Sequence, residues 1–197
     1  LRSILRQDPD IVMVGELRDT ETANVAINAA LTGPLVISTL HTNDASGAIP
    51  RFIAMGVKPF LLAPSLNAII GQRLVRRVCE KCKEEITLEE KDLNKAKQIL
   101  EEIPADHPDR PDLSNARFFK GNGCDACNGL GYKGRVGIYE ILTMNKEIET
   151  IILKKSVSQY EMKEIAIKNG MITMVQDGLI KALQGITTVG EVFRVSE

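Results

Sequence analysis

The stretch Leu5-Arg6-Gln7-Asp8-Pro9-Asp10-Ile11-Val12-Met13-Val14-Gly15-Glu16-Leu17-Arg18-Asp19 decides how this chain folds. Ile11-Val12-Met13-Val14 is a short unbroken apolar run, bounded by Asp8-Pro9-Asp10 and by Gly15. Such a run predicts a buried strand of the kind found in parallel sheets. Asp19 or Thr20 is placed to cap a following helix, with Glu21 in its first turn. Val25, Ala26, Ala29 and Ala30 give that helix a small apolar face, and Gly33-Pro34 ends it. Leu35-Val36-Ile37-Ser38-Thr39-Leu40 predicts a second buried strand. A further helix is expected from Asp44 to Met55, stopped by Gly56. Strands and helices alternating at this spacing imply right-handed parallel crossovers and an α/β layered domain.

A strand that ends in an acid presents a carboxylate at the C-terminal edge of a parallel sheet. Phosphate-hydrolysing α/β proteins place such a group there to orient a water or to reach a magnesium shell. Glu16 is the candidate here. The second strand ends at Thr39, His41, Thr42 and Asn43, and in a parallel sheet that edge lies on the same side as Glu16. Either cluster alone has an ordinary structural explanation, since strand ends often carry acids and a solitary histidine is more often structural. Together on one edge they favour a phosphate-facing role. His107, among Pro and Asp, is expected at the surface.

The four cysteines form two CxxC pairs, Cys79/Cys82 and Cys124/Cys127. Two such knuckles offer four thiolates to a tetrahedral ion, which points to structural zinc more than to disulfides. The alternative is four buried or redox-active thiols. Positions 83 through 123, 41 residues, separate the pairs, against the about 15–20 of a compact zinc ribbon. Something is therefore inserted between the knuckles. Residues 84–113 are charged and carry Pro104, Pro108 and Pro111, with one helix expected from Leu88 to Ile103. This is the segment expected to be mobile. Beyond the second knuckle, a strand is expected over 136–142 and short helices over roughly 146–154, 158–169, 174–184 and 188–194.

The 197 residues include 44% hydrophobic and 26% charged positions, which fits a globular fold and excludes a disordered chain. Aromatics are only 4% and Trp is absent, so any core is mainly aliphatic. Lys and Arg number 25 against 26 Asp and Glu, a net charge of -1, which argues against a broad nucleic-acid footprint. No apolar run approaches the roughly 20 residues of a membrane helix. The chain opens with Leu1, Ile4 and Leu5 at helical spacing, and is expected to be a fragment of a longer protein.

Arg6 through Asp19, Leu35 through Asn43, Gln72-Arg73-Leu74-Val75-Arg76 and the two CxxC pairs together resemble the secretion ATPase superfamily. They are most similar to the assembly ATPases of type II secretion systems and type IV pili. Gly131-Tyr132-Lys133-Gly134-Arg135-Val136-Gly137-Ile138-Tyr139-Glu140, Asp177-Gly178-Leu179 and Gly185-Ile186-Thr187-Thr188 extend the resemblance to all but about 84–118. Pilus retraction ATPases share the core but lack the four-cysteine module.

The resemblance implies an α/β fold: a partial RecA-like P-loop NTPase core, with a parallel sheet and flanking helices, plus an inserted tetracysteine zinc module and a C-terminal helical subdomain. The implied spans are 1–78 for the second half of the ATPase core, 79–135 for the zinc module with its charged insert 84–118, and 136–197 for the helical subdomain. Glu16 is the implied Walker B catalytic glutamate, and His41 falls in the histidine box that faces the γ-phosphate. Arg18, Thr39 and Thr42 are the implied nucleotide contacts, and Cys79, Cys82, Cys124 and Cys127 the structural zinc ligands. Pro34 stands where relatives often carry a second histidine. The implied whole protein uses ATP and Mg2+ as a cytoplasmic homohexamer, peripheral to the inner membrane through a platform protein and other secretion or pilus components. It is expected to bind no nucleic acid and to insert no segment into the membrane.

No G-x-x-x-x-G-K-[ST] occurs in these 197 residues. Without that amide cradle and its Lys, the fragment alone is expected to be inactive. Two other readings compete with this one. Cys124-Asp125-Ala126-Cys127-Asn128-Gly129-Leu130-Gly131 fits the C-x-x-C-x-G-x-G of co-chaperone zinc domains, but the first pair lacks the glycines. A zinc-ribbon nucleic-acid binder or DNA-translocating RecA-like motor is the alternative suggested by Arg73, Arg76 and Arg77, against which stand the few aromatics and the acidic balance. Arg76 and Arg77 are more simply expected as a solvated face or a subunit contact, and the individual role of Arg6 is open.

Overall fold

The computed structural model describes residues 7–154 and 157–196. The helical spacing of Leu1, Ile4 and Leu5, and Arg6, lie outside the described residues. The chain divides into two compact units, one of Leu1–Ile70 with Ile141–Met171 and the other of Gly71–Glu140 with Ile172–Glu197. Each unit joins an early to a late segment of the chain.

In the first unit β1 (Ile11–Val14) and β2 (Leu35–Ser38) pair in parallel, Ile11 opposite Leu35 and Val14 opposite Ser38. The crossover is α1 (Thr20–Ala30), capped by the Asp19 side chain, which accepts the Thr22 N–H at 2.7 Å. The two strands differ from the expectation of burial. Val12 is buried, but Ile11 is 62% and Met13 75% exposed, and Leu35 and Ile37 face outward with them. Only one face of this two-stranded sheet packs on the core of its unit, so period-2 alternation leaves every second apolar residue uncovered.

The next helix, α2 (Ala48–Ala54), starts later than expected. Asp44 does not join it, because its Oδ1 accepts the Gly47 N–H at 2.8 Å and closes a turn instead. α3 (Pro59–Ser65) opens on Pro59, whose missing N–H costs nothing at a helix start. α5 (Lys146–Ile152) and α6 (Gln159–Lys168), from later in the chain, complete the unit. Its core contains Ala23, Ile27, Ile49, Leu62, Ile148, Ile152 and Met162, with Phe52 as an aromatic member.

The second unit contains residues 71–78 and 132–140 of a two-stranded ribbon made by β3 (Ala68–Val78) and β6 (Tyr132–Thr143). β4 (Lys83–Ile86) pairs antiparallel with β5 (Phe118–Gly121), Lys83 opposite Gly121. Between them runs α4 (Glu90–Glu101), and α7 (Met174–Leu183) and α8 (Val189–Ser196) come from the end of the chain. The segment expected to be mobile is part of the core. Ala96, Leu100, Ile103 and Phe118 are buried and cluster with Leu179, Ala182, Val189 and Val192. Leu93, Ala96, Leu100 and Ile103 recur at helical spacing and form the apolar stripe of the helix expected over Leu88–Ile103, which packs into this core. Gly178 permits the close approach of α7 and α8, since a Cβ there would lie 2.7 Å from Val192 Cγ1.

Two residues expected at the surface make bonds that the sequence did not show. His107 is half-buried, and its Nδ1 accepts the Asp109 N–H at 3.1 Å. Arg76 is not a free cation on a solvated face: its guanidinium and backbone N–H both donate to Glu191, at 2.5 and 3.0 Å. Arg194 donates to the same carboxylate through Nε and Nη2, at 2.9 and 2.8 Å. Glu191 is only 2% exposed, and Arg76 also stacks 4.3 Å over the Tyr132 ring. Arg77 does stay exposed, 3.5 Å from Glu80.

Candidate catalytic edge and metal centre

Glu16 and His41 lie just beyond the C-terminal ends of β1 and β2 and meet there. His41 Nε2 is 2.7 Å from Glu16 Oε1, and Arg18 Nε donates to Glu16 Oε2 at 2.5 Å. The Glu16 side chain is 19% exposed, whereas those of Arg18 and His41 are 78% and 88% exposed. The acid is thus partly sheltered and oriented from both sides by open groups. The two loops are stitched together: Leu17 N–H donates to Thr39 O at 2.9 Å, and Thr39 Oγ1 to Gly15 O at 2.6 Å.

The expected nucleotide contacts differ in what they can offer. A hydroxyl has one hydrogen to donate. Thr39 spends it on Gly15 O, and Thr42 on Asp44 O at 2.9 Å. In this arrangement both hold the backbone, and neither presents a donor to a phosphate. Arg18 retains guanidinium nitrogens beyond the one bonded to Glu16. Asp44 went unread as a site residue. Its side chain bridges Gly47 N–H and the Gln159 amide, whose Nε2 donates to both carboxylate oxygens at 3.0 and 2.9 Å. No local pattern marks Gln159, which is 115 residues away in sequence.

The four cysteines converge in the second unit, with their sulfurs all within 4.8 Å of one another. The Cys79–Cys124 separation is 3.9 Å, and Cys82–Cys127 and Cys124–Cys127 are each 3.8 Å. These distances exclude disulfides, which need about 2.05 Å. A regular tetrahedron with about 2.3 Å Zn–S bonds has edges of about 3.8 Å, so the donor set fits zinc. Local geometry prepares the ligands. Cys124 N–H and Gly131 N–H point at Cys127 Sγ, at 3.2 and 3.3 Å. Burial pushes the Cys127 thiol up, but these amides together with hydrogen bonds from the Cys124 and Cys82 thiols outweigh it and bring it down to about 6. Burial pushes Cys82 up to about 12. The knuckles come together through Cys79 N–H to Gly131 O and Asn122 N–H to Cys82 O, at 2.9 and 3.0 Å. Gly121 and Gly131 permit that approach: a Cβ on Gly121 would sit 2.0 Å from Gly131 O, and one on Gly131 2.2 Å from Gly121 O.

Among the described residues no helix is long and apolar enough to cross a membrane. The sequence profile of the family described as Type II/IV secretion system protein matches residues 1–194. The chain is 52% identical over 193 residues to the type IV pilus assembly ATPase PilB of Thermus thermophilus, covering 98% of this chain and 20% of that protein. It is 46% identical over 196 residues to the type II secretion system protein E of Pseudomonas aeruginosa, covering 100% of this chain and 36% of that protein. The fold is similar to the pilus retraction motor PilT with bound ADP at a TM-score of 0.60 and 26% identity, over 98% of this chain and 41% of that one. The Legionella pneumophila ATPase DotB has the same fold at a TM-score of 0.60 and 21% identity, over 98% of this chain and 40% of that one. The chain thus spans a fifth to little more than a third of these two curated relatives.

Proposed function

This chain belongs to the Type II/IV secretion system protein family, and from that premise we propose that it supplies the catalytic acid of an ATPase subunit. The complete protein hydrolyses ATP with Mg2+ and powers type IV pilus assembly or type II secretion. It works as a cytoplasmic homohexamer that engages an inner-membrane platform protein. Glu16 draws a proton from the attacking water, His41 faces the γ-phosphate, and Arg18 holds the carboxylate and meets phosphate charge. Thr39 and Thr42 fix the two loops and reach a nucleotide only by giving up their backbone bonds. Cys79, Cys82, Cys124 and Cys127 hold one structural zinc, which closes the module and takes no part in hydrolysis.

The observation that carries this reading is the Glu16 carboxylate at the parallel sheet edge, bonded on one oxygen to His41 and on the other to Arg18. A carboxylate so fixed is set to accept a proton from water on the face that phosphate chemistry uses. The test is Glu16→Gln in the complete protein. The amide keeps the shape and loses the base, so turnover collapses while ATP binding persists. Hydrolysis within about threefold of wild type, under about 1 kcal/mol of barrier, removes Glu16 from that role.

A further inference from the structure

We infer that Gln159, at the first turn of α6, is a positioning residue that holds the loop of His41 against the catalytic edge; this rests on the reading of that edge given above. The loop runs from the end of β2 to the start of α2. Its far end is anchored in the core by Ala45, Ala48 and Ile49. Its near end carries His41 and Thr42, which are exposed or half-buried. What stiffens the span between them is Asp44. Its backbone carbonyl accepts the Thr42 hydroxyl, its Oδ1 accepts the Gly47 N–H, and both its oxygens accept the Gln159 amide.

Gln159 is itself fixed. Ser158 caps α6 by accepting the Glu161 N–H at 3.0 Å, and Met162 and Ala166 of the same helix are buried in the core of the unit. The amide therefore transmits the position of a packed helix to the loop. Gly47 leaves the room for it, since a Cβ there would lie 3.2 Å from Asp44 Oδ1 and 3.5 Å from Gln159 Cδ. Gln159 touches none of Glu16, Arg18 or His41 in the hydrogen-bond pattern. It acts through Asp44 and Thr42.

The test uses the complete protein and three variants. Gln159→Glu puts two carboxylates together and should lower kcat about threefold to tenfold, with KM for ATP changed less than about twofold. Asp44→Asn in that background restores a donor opposite the new acid, while Asn Oδ1 still accepts the Gly47 N–H, and should return kcat to within about twofold of wild type. Gln159→Ala should accelerate amide hydrogen exchange in the peptide spanning 41–47, with no change in the peptides of α1. Wild-type kcat in Gln159→Glu, or a slow double variant, would overturn the proposal. So would unchanged exchange in Gln159→Ala, and that arm needs no activity. Loss of the ATPase reading itself has a different signature: no hydrolysis by the wild-type protein, with the exchange result still deciding what Gln159 does to the loop.

Discussion

Glu191→Gln is the perturbation whose size the structure sets most directly. The buried carboxylate has four donors around it. Oε2 accepts Arg76 N–H and Arg194 Nη2, while Oε1 accepts Arg76 Nη2 and Arg194 Nε. A glutamine keeps one acceptor oxygen. It will face the Arg76 backbone N–H and leave the amide NH2 opposing Arg76 Nη2 and Arg194 Nε. Two charge-assisted bonds are lost, nominally about 1.5–3 kcal/mol each. The side chains of Arg76 and Arg194 are 48% and 57% exposed, so their freed donors reach water and the loss falls to about 1 kcal/mol each. The expected destabilisation is about 2 kcal/mol, or about 4–8 °C in Tm for a chain of this length.

Urea unfolding of the 197-residue chain, followed by circular dichroism and by tyrosine absorption, measures it. Tyr132 lies beneath Arg76, and its hydroxyl is 3.0 Å from Thr188 Oγ1, so it reports on this network. The pH dependence is a second arm. Arg194 first, and then Arg76 against the opposing effect of burial, hold the Glu191 carboxyl well below the usual carboxylate range. A folded-state pKa below the unfolded one gives stability that is complete above the unfolded value and lost as pH falls through the folded one. The gap between wild type and variant should therefore stay constant from pH 7 to about 5 and close only below about 4. A difference under about 0.5 kcal/mol at pH 7, or one that already narrows between pH 7 and 6, would refute the argument.

Zinc should be found near one equivalent per chain in freshly purified reduced protein, with about four sulfurs at about 2.3 Å by X-ray absorption; well under half an equivalent, or any disulfide among the four cysteines, counts against it. Cys124→Ser should lower zinc occupancy and loosen the second unit, yet leave amide protection in β1 and β2 of the first unit unchanged, as hydrogen exchange will report. The 197-residue chain alone should neither hydrolyse ATP nor bind it tightly. With Thr39 and Thr42 committed to the backbone, the exposed His41 and Arg18 supply about 1 kcal/mol and about 1.5–3 kcal/mol, against the about 8 kcal/mol of a micromolar complex. Calorimetric titration with ATP and magnesium checks this, and a micromolar Kd would mean a nucleotide site elsewhere in these residues.

The parts of the fold legible in sequence are those encoded locally. The apolar runs at Ile11 and Leu35 mark strands, Asp19 caps α1 as its position predicts, and two CxxC spacings bring four sulfurs together. Burial of the two strands is not legible there, because apolar content reports what a residue can bury and not how many layers stand ready to cover it. β3 is hidden by its arginines, which alternate with Leu74 and Val75 without a clean period-2 pattern. Glu191 and Gln159 were invisible for another reason: each finds its partner 115 residues away, Arg76 and Asp44 respectively. A carboxylate in a short C-terminal helix looks like a solvated charge until the strand that buries it is placed.

The interleaving of the two units has a consequence for synthesis on the ribosome. The second unit holds Ala96 and Leu100 against Leu179 and Val192, so its nucleus cannot close until Val192 has emerged. Residues 71–140 wait through the whole translation of 141–171, exposing the stripe of α4 and the reduced thiols of both knuckles. The first unit has its last segment complete at Met171 and can consolidate earlier. A nascent chain arrested with Met171, but not Leu179, clear of the ribosome should therefore protect the first unit from protease while the span around α4 is cut. Early capture of a metal by the cysteine pairs would shorten the loop left open during that interval.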